Sequence, residues 1–181
     1  AEELGLNGAA LFVTQHPWAK EVGLALNFEA RGSSGPSYML METNKGNAGL
    51  VNEFSKAGVT YPVSNSLMYS IYKMLPNDTD LTVFREKGNI QGLNFAFIDD
   101  HYNYHTQQDD AQHLAKNTLA HQGRYLMPLL TYFSNANLDA VQATEDEVYF
   151  TIPFTFISYP WSWVLPMTIM AGVFFVFFLF I

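Results

Sequence analysis

From Val148 to Ile181 the chain carries no charged residue, and this end constrains the fold of everything before it. The stretch Val164 to Ile181 approaches the roughly 20 apolar residues that a helix needs to cross a bilayer core. Tyr159, Trp161 and Trp163 come just ahead of it, where amphipathic rings favour the headgroup zone. A helix buried in a soluble core is the alternative, and the absence of any interrupting charge argues against it. A transmembrane helix is therefore predicted over 161–181, with membrane lipid as a partner. Asp139, Glu145, Asp146 and Glu147 precede it, and no Lys or Arg follows Arg124. Under the positive-inside rule that flank, and the domain before it, belongs on the non-cytoplasmic side: periplasmic, extracellular or in an organelle lumen.

The 181 residues, less the anchor, suffice for one domain but are few for a complete α/β enzyme. The chain opens on Ala1 and closes inside an apolar run, so the reading expects a fragment. Nine Lys plus Arg against seventeen Asp plus Glu give a net charge of −8, all of it before Val148, which argues against nucleic acid as a partner. Cysteine is absent. That removes disulfides, thiolate nucleophiles and Cys-ligated zinc, and leaves His and carboxylates to hold any metal.

Leu6, Ala9, Ala10 and Val13 recur at helical spacing and predict a helix over 6–15 that ends near His16-Pro17. Val22 to Phe28 is short, apolar and uncharged, which predicts a strand covered by helices on both sheet faces with Glu29 at its carboxyl end. Arg31 to Ser37 reads as a Gly/Ser/Pro turn region. Ala48 to Ala57 fits a helix stopped by Gly58, and Ser66 to Leu75 fits another. Asn77-Asp78-Thr79-Asp80 offers side-chain oxygens to cap a short helix that Gly88 ends, and its first three residues form a glycosylation sequon. Leu93 to Ile98 reads as a second buried strand, Asp99 to Asp109 as a loop, and Asp110 to about Phe133 as a long helix that Pro128 should kink or interrupt. Strands alternating with helices predict an α/β three-layer sandwich with a mixed, largely parallel central sheet. In such folds polar ligands gather at the carboxyl ends of the strands.

Three places carry candidate chemistry. Glu2 and Glu3 stand before the first helix, where an acidic pair is either a solvated first turn favoured by the macrodipole or a division of labour between a metal ligand and a general base. Glu29 follows an apolar strand and needs either an ion or a donor to offset its desolvation, with Arg31 the ordinary compensator. Tyr104-His105 lies in a loop that also holds His101, and a loop histidine is either a ligand or merely capped. His16, His113 and His121 receive no function.

The run Glu2 to Ala9, then Leu26-Asn27-Phe28-Glu29-Ala30-Arg31-Gly32, then Asn77 to Asp80 with Gly92-Leu93-Asn94-Phe95, then Tyr104-His105-Thr106 with Asp109, resembles the di-zinc aminopeptidase family, peptidase family twenty-eight. Within it the similarity points to the membrane-bound vacuolar, endoplasmic-reticulum and bacterial peptidases. The resemblance covers roughly residues 1 to 133. It implies Glu2 as general base, Glu3 and Glu29 as ligands of different zinc ions, His105 as the partner of Glu3, and Tyr104 as a stabiliser of the oxyanion. A further His and a bridging Asp lie upstream in the family pattern. The expected division is 1–138 as the C-terminal part of a zinc exopeptidase domain, 139–160 as a membrane-proximal linker, and 161–181 as the span.

The implied activity is that of a membrane-anchored zinc exopeptidase, an aminopeptidase cleaving N-terminal residues from a peptide substrate. Its two zinc ions would lower the pKa of a bound water toward about 7 and polarise the scissile carbonyl. The fragment alone is expected to be inactive. The alternative is a non-catalytic ectodomain of the same fold used as a binding or scaffold module. A single-zinc acyl-transfer cyclase on this scaffold ranks third. Oligomeric state is not legible.

Overall fold

The computed structural model describes residues 5–75, 78–153 and 155–180. In chain order the described residues form α1 (Asn7–Gln15), β1 (Ala25–Ala30), β2 (Tyr38–Glu42), α2 (Ala48–Lys56), α3 (Ser66–Tyr72), α4 (Asp80–Gly88), β3 (Gly92–Phe97), α5 (Lys116–Phe133), β4 (Glu147–Ile152), β5 (Thr155–Pro160) and α6 (Val164–Leu179). Single 3-10 turns punctuate them at Pro17–Glu21, His101–Asn103, Leu138–Val141 and Trp161–Trp163. The fold is α/β, and its main sheet is mixed. Strand order is β1-β3-β2, with β1 parallel to β3 and β2 antiparallel to it.

Register decides what each face of that sheet offers. Phe28 lies opposite Phe95, and Phe95 opposite Met39, so period-two alternation sends these side chains to one face. Phe28 stacks on Phe95 with ring centroids 4.7 Å apart, and Phe95 meets Tyr125 of α5 at 4.7 Å. Leu50, Val51 and Phe54 of α2 and Leu129 and Phe133 of α5 complete this core. Each such fully buried side chain contributes roughly 1.5–3 kcal/mol. The opposite face carries Asn27, Glu29, Leu40, Glu42, Asn94 and Ala96. There α4 packs close enough that a Cβ on Gly92 would lie 2.6 Å from Leu81 Cδ1.

Local chemistry ends α2 and starts α3 and α4 where expected, while α3 stops at Tyr72, short of the Leu75 expected. Gly58 follows α2 at φ +67, the left-handed conformation that glycine adopts without a Cβ penalty. Thr79 and Thr82 form a reciprocal capping box at the start of α4, and Asn65 accepts the Met68 N–H at 2.9 Å to cap α3.

Four expectations need adjusting. β1 runs from Ala25 to Ala30 rather than from Val22, and it is half-buried instead of covered on both faces, because it lies at a sheet edge and alternates apolar with polar side chains. α5 starts at Lys116, since Asp110 Oδ1 accepts the N–H groups of Gln112 and His113 and closes a local turn there. The helix continues through Pro128 without ending. β2 forms at Tyr38–Glu42, where the sequence pattern predicts no element.

Residues 139–160, read from sequence as membrane-proximal, hold a 3-10 turn and the antiparallel β4–β5 hairpin. Tyr149 of that hairpin is buried, and its hydroxyl accepts the Met41 N–H at 3.4 Å. Beyond it, Trp161–Leu179 is the one stretch among the described residues that is helical, long and apolar enough to cross a membrane, and none of it is buried.

Candidate metal centre

The loops that follow the parallel strands β1 and β3 are laced to each other. Arg31 N–H donates to Phe97 O at 2.9 Å, and the N–H groups of Ser33 and Ser34 both donate to Asp99 O, at 3.0 and 3.1 Å. Ser34 Oγ donates to Asp100 at 2.6 Å, and buried Asn103 donates to Ser33 Oγ at 2.7 Å. The Ser34 hydroxyl, then that of Tyr102, hold the Asp100 carboxyl below its usual range. Glycine is required at position 32, because a Cβ there would lie 2.2 Å from Asp99 O. The lacing brings the end of β1 and the Tyr104-His105 loop to the same sheet edge.

Glu29 and Tyr104 line one cavity of about 260 Å³, whose apolar wall includes Tyr38, Leu40, Met68 and Ile71. Asn27 Nδ2 donates to Glu29 Oε1 at 2.8 Å, and Gln122 of α5 donates to the Glu29 carbonyl at 2.9 Å. His105 follows Tyr104 with its ring stacked on the tyrosine, centroids 3.8 Å apart. Its backbone is left-handed, φ 57, and its N–H donates to Asp109 Oδ2 at 3.0 Å.

Glu2 and Glu3 lie outside the described residues. Among the described residues no group of three or more His, Asp or Glu is arranged to hold a metal ion. His121, given no function from sequence, accepts the Ser37 N–H at 3.0 Å and contacts Tyr61 O at 3.0 Å, which ties α5 to two loops.

Sequence reasoning missed what lies behind Glu29. Asn27 Nδ2 also donates to Asn94 Oδ1 at 3.1 Å, Asn94 Nδ2 donates to Glu42 Oε1 at 3.2 Å, and Arg85 Nε reaches Glu42 Oε2 at 3.4 Å. Asn94 and Glu42 are each only 1% exposed. Burial raises the Glu42 pKa, with Arg85 and then Asn94 opposing the rise. The available signal was polar side chains set inside apolar strands, Leu26-Asn27-Phe28 and Leu93-Asn94-Phe95.

Residues 1–130 match the model of Peptidase family M28. The chain belongs to peptidase family M28. Among its curated relatives in this family, endoplasmic reticulum metallopeptidase 1 of Homo sapiens is 30% identical over 166 residues, covering 88% of this chain and 18% of that protein. The Rattus norvegicus protein of the same name is 31% identical over 140 residues, 76% of this chain and 15% of its own length. Vacuolar membrane protease of Candida dubliniensis is 31% identical over 163 residues, 89% of this chain and 17% of that protein. The chain thus spans less than a fifth of the length of these M28 relatives. No solved structure matches it significantly. The resemblance drawn from the motifs is borne out for the family and for its members named after endoplasmic reticulum and vacuole.

Proposed function

We propose that the protein is a membrane-anchored zinc exopeptidase, an aminopeptidase, with its peptidase domain on the non-cytoplasmic side and α6 as the anchor. The observation that carries this reading is the shared cavity of Glu29 and Tyr104 at the carboxyl ends of parallel strands, inside an M28 chain. The fold reading is the three-layer zinc-exopeptidase sandwich, with 1–138 belonging to the peptidase domain.

The donor set fits zinc. It is made of carboxylate and imidazole groups, with no cysteine in the chain. The Asn27 hydrogen bond to Glu29 is the kind of outer contact that orients a ligating carboxylate. Glu3, Glu29 and His105 would hold the ions, with the remaining His and Asp ligands of the family pattern outside this sequence. Bound zinc supplies Lewis-acid charge to the scissile carbonyl and acidifies water.

In this reading Glu2 accepts the proton of the attacking water and returns it to the leaving amine. Tyr104 donates a hydrogen bond where negative charge develops, a contribution whose loss costs about 3 kcal/mol. The apolar wall of the cavity excludes water and orients the peptide substrate.

The test is Glu2→Gln in the intact protein, assayed for turnover and, in parallel, for zinc content. Turnover should fall at least about 100-fold with zinc near normal. Retained turnover removes Glu2 from its role. An intact wild-type protein that carries no zinc supports a non-catalytic scaffold instead.

A further inference from the structure

Glu42 is a buried carboxylate on the same sheet face as Glu29 but on the opposite edge strand, and nothing in the reaction just described uses it. It is nevertheless joined to Glu29 by an unbroken line of side-chain hydrogen bonds across all three strands: Glu42 to Asn94 at 3.2 Å, Asn94 to Asn27 at 3.1 Å, Asn27 to Glu29 at 2.8 Å. The strand pairing makes this possible, because Asn27 and Asn94 are register partners, and Asn94 in turn is the partner of Leu40, two residues from Glu42 on the same face.

We propose that Glu42 is a positioning residue, which acts through Asn94 and Asn27 to fix the orientation of Glu29 as a metal ligand. The inference rests on the reading of Glu29 as a zinc ligand.

The argument is one of hydrogen-bond polarity. An ionised carboxylate only accepts, so Glu42 obliges Asn94 to turn its NH₂ toward it and its carbonyl oxygen toward Asn27. That oxygen obliges Asn27 to present its own NH₂, whose second hydrogen goes to Glu29. Both Glu42 oxygens accept, one from Asn94 and one from Arg85, which suits the charged form despite burial. Thr79 Oγ1 takes the other Asn94 hydrogen at 3.4 Å, so the amide has no reason to flip. A neutral amide at position 42 could donate as well as accept. The two asparagines would then be free to reverse, and reversal sets a carbonyl oxygen against the Glu29 carboxylate.

The experiment measures zinc affinity of the intact protein by competition with a chelator of known affinity, with thermal unfolding recorded alongside. Glu42→Gln and Asn94→Leu, the second of which offers Asn27 no acceptor, should each weaken zinc binding by about 10–100-fold, the range found for outer contacts of metal ligands. The double variant E42Q/N94D moves the acceptor from position 42 to position 94 and again offers Asn27 an oxygen. It should restore affinity to within about threefold of wild type. If the double variant is as weak as, or weaker than, the two singles, the effect is ordinary loss of packing and the proposal is wrong. Unchanged affinity in the singles overturns it equally. If Glu42→Gln does not fold, Asn27→Ser on the half-buried edge strand tests the last link, and unchanged zinc affinity there sinks the proposal. Glu29→Gln separates the two levels of inference. Loss of zinc in that variant with normal affinity in Glu42→Gln removes only the positioning role, whereas normal zinc in Glu29→Gln removes the ligand reading itself.

Discussion

His105 is held by Asp109: its backbone N–H donates to the carboxylate at 3.0 Å while the residue sits at φ 57. A left-handed backbone at a residue with a Cβ costs roughly 1–2 kcal/mol and persists only where neighbours enforce it. Asp109→Ala should therefore let the backbone of position 105 relax and move the imidazole. Steady-state kinetics on the intact protein should show kcat/KM reduced by about 10–100-fold, as expected for misplacement on the ångström scale. The melting temperature should barely move, because the loop is exposed.

Two glycines should respond with opposite sign to the same substitution. At Gly32 an added methyl meets backbone oxygens, Asp99 O at 2.2 Å and Ile98 O at 2.6 Å, which cannot swing aside. Gly32→Ala should cost about 2–4 kcal/mol and part the two loops behind Glu29. At Gly123, inside α5, a Cβ meets nothing within 4 Å. Gly123→Ala should stabilise by about 0.5–1 kcal/mol through helix propensity. Urea denaturation of both variants decides it.

Tyr132 of α5 donates to Glu53 Oε2 of α2 at 2.6 Å, and Lys56 Nζ donates to Oε1 at 2.6 Å. Lys56 first and Tyr132 second hold the Glu53 carboxyl below its ordinary value of 4.5. The folded form thus prefers the ionised group, so the stabilisation is full above pH 4.5 and disappears as pH falls through the lowered folded value. Tyr132→Phe should lower the unfolding free energy at pH 7, with the difference from wild type shrinking below pH 4.5. Unfolding free energies measured from pH 7 to pH 3 check the sign, and a difference that grows on acidification refutes it.

α6 is apolar on every side and unburied along its length. Phe174→Arg, well inside the span, should cost about 2.5–3.5 kcal/mol of insertion free energy. The fraction of protein that resists alkaline extraction from membranes should drop, and a variant as firmly retained as wild type speaks against insertion of this helix.

Legibility from sequence followed the range of the forces involved. α1 to α4 and β3 could be read because each carries its own stop or start nearby, such as Gly58 after α2 or the Thr79 box before α4. β2 escaped because Tyr38 to Glu42 looks like the end of a turn region until β3, far along the chain, pairs with it. The β4–β5 hairpin escaped likewise, its place depending on buried contacts such as Thr151 N–H to Ser64 O at 2.9 Å. For the proposed site, motif resemblance singles out Glu29 and Tyr104, and Glu29 also stands out by its place after an apolar strand. Asn27, Asn94 and Glu42 receive no role there, because their connection exists only once three strands take a common register, which no local pattern encodes.

The hairpin hands the chain to the apolar helix with almost no interval: β5 ends at Pro160, α6 begins at Val164, and the Trp161 N–H is pinned to Asp146 O at 3.0 Å. Once α6 is inserted, the folded part rides at a set height above the lipid, like a boat moored on a taut cable.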